Sequence, residues 1–352
     1  MSIANPLQNI VREFSKMPGI GQKTAQRLAF YLLGLPKEEI DDLVFSIKEI
    51  LKTALPAAFK TVTWLLSLMI PISLLVTLLQ YYGIISWAAE LLNPLFHYLG
   101  LSGQCAFVFL TSIFLNIYSA IAVISTLSLS MREICIVALM CLISHNMIIE
   151  TIIQSKTGSS GMKMVFIRLS SSIIAALALN YLLPPDALKS ITPTLALNQA
   201  SSLWTVIEEW GVKMFFLAIK VILFVSALMI LQQILEKSGI IKIISRLFTP
   251  LLKVMGLPVK TSFLWIVANV LGLAYGSAIM IDELEKGKIS KEENNLLNHH
   301  VAVSHSLLED TLLFMTIGVS AFWITIPRII LAIAVVWIYR MWKMMKNQDL
   351  PC

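Results

Sequence analysis

Apolar and polar positions follow two different patterns along this chain. Over the first fifty residues charged and apolar side chains interleave, as in "KEEIDD". A short polar helix is expected there, then the tight turn Pro18-Gly19-Ile20-Gly21, then a second helix opening with Gln22, Lys23 and Thr24. Near 51–59 the pattern changes. The runs 61–89, 91–131, 261–281 and 311–327 contain no Lys, Arg, Asp or Glu. Each is about as long as the 20 or so apolar residues a spanning helix needs, or close to it. They are continuous rather than alternating, and in lipid only helices and closed barrels satisfy their own backbone, so helices are predicted. A large soluble helical protein would instead show charged faces at a 3.6-residue period, and these are absent.

The apolar part is written twice. "YGIISWAAELLNPLFHYLGLSG" aligns with "SGIIKIISRLFTPLLKVMGLPV", pairing Gly83 with Gly239, Pro94 with Pro250 and Gly100 with Gly256, each 156 residues apart. "SAI" at 119–121 pairs with "SAI" at 277–279. "SHNMIIETIIQSKTG" pairs with "SHSLLEDTLLFMTIG", matching Ser144, His145, Thr151 and Gly158 to Ser304, His305, Thr311 and Gly318 at a spacing of 160, which Arg168 and Arg328 keep. Such collinearity indicates a duplicated unit. The expected organisation is a leading segment 1–50, a first repeat 53–184, a linker 185–212 and a second repeat 213–345. Each repeat is predicted to hold four apolar segments and a short amphipathic helix. These lie near 61–81, 105–127, 133–153 and 164–183 with a helix at 86–99, and near 213–233, 262–281, 296–316 and 319–340 with a helix at 240–254.

Charge then changes the picture. The loop 82–104 has no Lys or Arg, while its partner 234–261 has Lys237, Lys242, Arg246, Lys253 and Lys260. Basic residues stay cytoplasmic, so equivalent loops should face opposite sides, and each repeat should cross an odd number of times. One of its four segments must be re-entrant or broken. Inverted repeats with discontinuous helices are a transporter pattern, with the site near the midplane. The all-α fold expected is therefore a multi-pass protein of the cytoplasmic (inner) membrane with its N-terminus cytoplasmic and lipid as its surroundings.

Composition agrees with this reading and adds exclusions. Of 352 residues 57% are hydrophobic and 14% charged, against roughly 45–50% and about 25% in globular domains. The formal charge of +6 resides in loops and ends, so a nucleic-acid partner is not required. Cys105, Cys135, Cys141 and Cys352 make no C-x-x-C pair, and the three that lie in apolar runs read as small core residues. No phosphate loop, zinc-protease helix or nucleophile elbow is present, so neither an enzyme nor a cofactor is expected.

"NHHVAVSHSLLEDTLLFMTIG" and its echo "SHNMIIETIIQSKTG" resemble the nucleoside-recognition (Gate) domain family, over about residues 52–345 in two copies. That family includes the spore-maturation proteins A and B, and related segments occur in ferrous-iron transporters of the FeoB type. The resemblance implies an integral membrane protein that recognises or moves a small polar solute, nucleoside-like in the family's sense. A membrane assembly factor of the spore-maturation kind and a divalent-metal transporter stand as alternatives. "MPGIGQKTAQRLAFYLLGLPKEEIDDL" resembles the N-terminal helix-hairpin-helix of the RecR recombination family. By that resemblance Lys23 and Arg27 match DNA-contacting positions, and Gly19 and Gly21 form a turn suited to a phosphate. No four-cysteine finger or acidic catalytic region follows, so the segment would bind nucleic acid weakly, and a DNA-repair accessory role is a further alternative.

Ionisable residues inside membrane segments are candidate site residues by default. The duplicated set is His145, Glu150 and Arg168, with His305, Asp310 and Arg328. Ion pairs Glu150–Arg168 and Asp310–Arg328 would lock neighbouring helices. Glu309 has no acidic counterpart, since Ile149 holds its place. Asn298, His305 and Glu309, at i, i+7 and i+11, would share one helical face and, with Ser304, bind the solute. His299, His300, His305, Glu309 and Asp310 crowd twelve residues, but lacking a second ligand-rich segment, no metal site is expected. A homo-oligomer or a membrane-protein partner completes the expectations.

Overall fold

A computed structural model describes residues 6–16, 21–183 and 202–346. The described chain is helical and forms two compact units, Met1–Ala57 and Ala58–Cys352. In the first, α1 (Pro6–Ser15) packs on α2 (Gln22–Leu33), burying Ala25 and Ala29 and leaving Phe30, Tyr31 and Leu33 exposed. Helix α3 runs from Lys37 to Tyr81, so the change of composition near 51–59 falls inside a helix rather than in a linker.

Each repeat of the second unit has the same order of elements. The first contains the apolar part of α3, α4 (Ile84–His97), α5 (Cys105–Phe114), α6 (Ile117–Ile124), α7 (Met131–Ser144), α8 (Met147–Lys156) and α9 (Gly161–Leu182). The second contains α10 (Leu203–Lys237), α11 (Ile240–Val254), α12 (Ser262–Val270), α13 (Leu273–Glu285), α14 (Lys291–Ser304), α15 (Leu307–Met315) and α16 (Ala321–Met345). Residues 185–201 of the expected linker lie outside the described part. Local chemistry repeats as well. Capping boxes open α7 (Ser130 with Glu133) and α14 (Ser290 with Glu293), satisfying backbone donors a helix start leaves open. Gly83 and Gly239 precede α4 and α11 with φ of 75° and 70°, a left-handed turn that glycine enters without steric cost. There the chain leaves a crossing for the amphipathic helix.

The second and third apolar segments are both interrupted, where one interruption per repeat was expected. Helix α5 runs parallel to α7. Ser102 N donates to Glu133 at one end (3.0 Å), and Asn146 N donates to Ser112 O at the other (2.9 Å). The chain then reverses through α6 and returns to the start of α7 at Met131, with α5 and α6 packed together. The pair is a re-entrant hairpin. Helices α12 and α13 repeat it: Lys260 lies 3.6 Å from Glu293, and Ser306 N donates to Ala268 O (3.0 Å). The third segment is broken but still crosses, because α7 and α8 together run antiparallel to α9. Arg132 reaches Asn180 O (2.9 Å), Ser144 Oγ reaches Arg168 O (3.1 Å), and Gly161 lies against Thr151 and Ser155. Each repeat therefore crosses three times, an odd number.

The repeats are inverted relative to one another. Met131, at the start of α7, packs on Gly318 beyond α15, while Thr157, beyond α8, accepts from Asn294 and Asn298 near the start of α14. The broken crossings lie antiparallel and meet midway. One end of this bundle carries Arg132. The other carries Lys291 at the start of α14, with Lys260 beside Glu293 and Lys343 beside Glu292. Among the described residues, five helical stretches are long and apolar enough to cross a membrane: Lys37–Tyr81, Met131–Lys156, Gly161–Leu182, Leu203–Lys237 and Ala321–Met345. The α14–α15 crossing is too polar to stand out by hydropathy, because its Asn294, Asn298 and His300 are buried within protein and never meet lipid.

Candidate functional site

The two broken crossings touch where they are interrupted. Helix α7 ends at Ser144 and α14 at Ser304, and in both the next residue is a histidine in extended backbone. Asn146 and Ser306 follow with φ of 49° and 51°, the two non-glycine residues of positive φ among those described. Left-handed backbone at a serine is unusual and tends to gather at functional sites. A break of this kind strands backbone carbonyls that lipid cannot satisfy. Two arginines capture them. Arg168 Nε donates to Ile143 O (2.8 Å) and its Nη2 to His145 O; Arg328 Nε donates to Val303 O (3.3 Å) and its Nη2 to His305 O. Both guanidinium groups are fully buried and sit at helix C-termini, where a cation is favoured.

The arginines differ in their second task. Arg168 Nη2 is 2.8 Å from Glu150 Oε2, the ion pair read from the sequence. The matching Arg328–Asp310 pair does not form: among the described residues no ion pair within 4 Å joins them. Asp310 turns instead toward the first repeat, with Oδ2 3.7 Å from His145 Nε2. The two imidazoles face each other, Nε2 to Nε2 at 3.4 Å. Glu150 lies between the repeats, 3.2 Å from His145 and 3.0 Å from His305.

Beside this cluster is a cavity of about 360 Å³. Its walls come from both repeats: Trp64 of α3, Asn116 and Tyr118 at the first hairpin tip, Gly272 at the second, and Gln232 of α10. His145, Glu150, Glu309 and Asp310 also line it. Glu309, without a counterpart in the first repeat, accepts from Tyr118 Oη at 3.1 Å.

Three expected solute contacts, Asn298, Ser304 and His305, lie outside the cavity lining. Asn298 does not share a face with Glu309, because the break at His305 and Ser306 ends the helical register between them. Asn298 Nδ2 instead donates to Thr157 Oγ1 and Ser159 Oγ, both at 2.9 Å, and stitches the repeats together. Ser304 Oγ is held 2.7 Å from His300 Nδ1, and Trp265 Nε1 donates to the same nitrogen (3.1 Å). His305 is buried behind the cavity rather than lining it. Conversely, Trp64, Asn116, Tyr118 and Gln232 were not singled out from the sequence. Single polar or aromatic residues in apolar runs carry no periodic signal. No metal site was expected, yet His145, Glu150 and His305 place ligand atoms within 4.8 Å of one another. The second ligand-rich segment is the first repeat's own, brought in by the inversion. In the leading unit Lys23 and Arg27 are exposed on α2 and Gly21 stands at its N-cap; Gly19 lies outside the described residues.

Comparison with known proteins places these features. Residues 62–182 and 218–340 match the Gate family, described as nucleoside recognition, and residues 7–51 match the RecR helix-hairpin-helix family. An uncharacterized membrane protein of Bacillus subtilis, YvoD, is 31% identical over 311 residues, covering 84% of this chain and 97% of that protein. The recombination protein RecR of Syntrophomonas wolfei is 43% identical over 58 residues, and that of Lactobacillus delbrueckii is 42% identical over 45. These matches cover 29% and 23% of the RecR proteins. No solved structure matches the chain.

Proposed function

Since this chain belongs to the nucleoside-recognition Gate family of membrane proteins, we propose that it binds a small polar, nucleoside-like solute between its inverted repeats and moves it across the membrane without covalent chemistry. The observation that carries this reading is the cavity at the meeting of two helix breaks and two hairpin tips. Its volume of about 360 Å³ falls within the range of about 300–1,000 Å³ usual for small-molecule sites. Trp64 and Tyr118 offer aromatic faces to a planar ring, while Asn116, Gln232 and Glu309 offer convergent hydrogen-bonding groups to its polar edge.

The test is a thermal-shift series on the detergent-purified full chain with nucleosides and free bases. A solute at a hundred times its Kd should stabilise the protein by about 2.7 kcal/mol. Glu309→Gln should fold normally and bind about ten-fold more weakly, the loss expected for one charged hydrogen bond. If no nucleoside or base shifts the melting temperature, and none is taken up by vesicles bearing the protein, the proposal fails.

The orientation we propose puts the Lys260 end in the cytoplasm, because basic residues collect there and the opposite end offers Arg132. A cysteine introduced at Val259 should then resist a membrane-impermeant thiol reagent applied to intact cells, while one at Ser102 should react. The natural Cys105, Cys135 and Cys141 are buried and give little background. Equal labelling at both positions would contradict the arrangement.

A further inference from the structure

We infer that the meeting point of the two repeats is a seat for one divalent transition-metal ion of the zinc class, ligated by His145, His305 and Glu150, with Asp310 facing the fourth corner. The argument begins with the imidazole tautomers. His145 Nδ1 lies 3.1 Å from Cys141 O, and His305 Nδ1 lies 2.8 Å from Val301 O. A carbonyl oxygen only accepts, so both Nδ1 atoms carry the hydrogen and both neutral rings present the Nε2 lone pair. This backbone anchoring is the outer-shell bond that orients metal-binding histidines.

The lone pairs then converge on one another and on carboxylate oxygens. Nε2 to Nε2 is 3.4 Å, His145 Nε2 to Glu150 Oε1 is 3.2 Å, and His305 Nε2 to Glu150 Oε2 is 3.0 Å. Asp310 Oδ2 is buried without a hydrogen-bond partner, 3.7 Å from His145 Nε2. An assembly of acceptors at these separations lacks a cation at its centre. The separations also select the kind of cation. Zinc–nitrogen and zinc–oxygen bonds of about 2.0–2.2 Å in a tetrahedron place neighbouring ligand atoms about 3.3–3.6 Å apart, close to the four distances here. Two imidazoles and carboxylate suit a borderline ion; calcium or magnesium would call for an all-oxygen cage.

Charge is compatible with such an ion. Arg328 is engaged with the carbonyl end of α14, and Arg168 with that of α7 and with one oxygen of Glu150 (2.8 Å), leaving Asp310 and the other oxygen of Glu150 to face the ion. The seat forms the back wall of the cavity, since His145, Glu150 and Asp310 line both. The duplication explains why it exists once: each repeat contributes one histidine and one acid, and the axis relating them passes between the rings.

The inference does not rest on the solute proposed above. A protein that binds metal but no nucleoside would refute only the solute reading. The test uses the full chain, purified in detergent, stripped with chelator and titrated with Co²⁺, then with Zn²⁺ in competition. One equivalent of Co²⁺ should bind with the intense visible bands of a tetrahedral site, and Zn²⁺ should displace it. His305→Gln and Glu150→Gln should each weaken Co²⁺ binding at least ten-fold and change the spectrum, while Glu309→Gln leaves both unaltered. Should His305→Gln fail to fold, His145→Gln and the spectrum of the wild-type complex decide the matter. Absence of saturable Co²⁺ binding by folded wild type overturns the inference. So does binding that survives both Glu150→Gln and the histidine change, and so does a spectrum of six-coordinate cobalt.

Discussion

Arg168→Gln is expected to lower the stability of the folded protein by about 3–5 kcal/mol, the usual cost of removing one member of a buried ion pair. The change strands Glu150 within a fully buried site and releases the carbonyls of Ile143 and His145 at the break. Arg328→Gln should cost less, because it releases the same number of carbonyls without stranding a paired carboxylate. Its guanidinium holds Val303 O and His305 O but no carboxylate within 4 Å. Folded yield by size-exclusion chromatography and denaturant unfolding in detergent would measure both. The order matters more than either value: if Arg328→Gln proves the more damaging, the division of roles between the arginines is wrong.

Gly103→Ala should be nearly as disruptive, for a different reason. A methyl group on Gly103 would lie 2.0 Å from the carbonyl oxygen of Ala89 in α4. Backbone cannot rotate away as a side chain can, so α4 must shift from the hairpin that begins at Cys105. The same shift would break the bond from Gly103 N to Asn93 Oδ1 (2.7 Å). Overpacking of this kind costs about 1–3 kcal/mol. Gly21→Ala is the control, since nothing lies within 4 Å of the added methyl and φ is −74°. The melting temperature should fall for Gly103→Ala and hold for Gly21→Ala. Equal behaviour would mean that α4 is not held by this contact. The second repeat carries Val259 at the matching position, so the need for glycine here belongs to the first repeat alone.

Much of the fold could be read in the sequence because the duplication preserved residues whose geometry is demanding. The glycine pairs 83/239, 100/256 and 158/318 all adopt positive φ, so the spacing of 156 and then 160 marked real turns. The imbalance of basic residues gave the inversion. What the sequence hid was how each interruption is made. The run 105–127 is long enough to cross, and it reverses at Leu115 and Asn116 with neither glycine nor proline to mark the place. The breaks at His145 and His305 are equally unmarked, and ignoring them sent Asn298 to the wrong side of its helix. The candidate site was half legible. The ionisable set stood out from its apolar setting, but Tyr118 meets Glu309 across 191 residues of sequence, and no local pattern encodes that contact. Nor does periodicity reveal that Asp310 leaves its own repeat's arginine for the other repeat's histidine.

The axis relating the two repeats lies in the plane of the membrane, and this has a consequence for descent. A lone repeat of this design could rebuild the crossing of histidines only by meeting a sibling inserted the other way up. An ancestor of that sort had to enter the bilayer in both orientations, which holds a sequence to a neutral balance of lysine and arginine on its two faces. Joining two copies in one chain lifts that constraint. The copies are then free to part company, one gathering lysines at its loops and the other shedding them. They can also differ at the centre, where Ile149 and Glu309 both line the cavity and only the second brings a carboxylate. The inequality between those two positions is what a fused pair can hold and an exchanging pair of identical chains cannot.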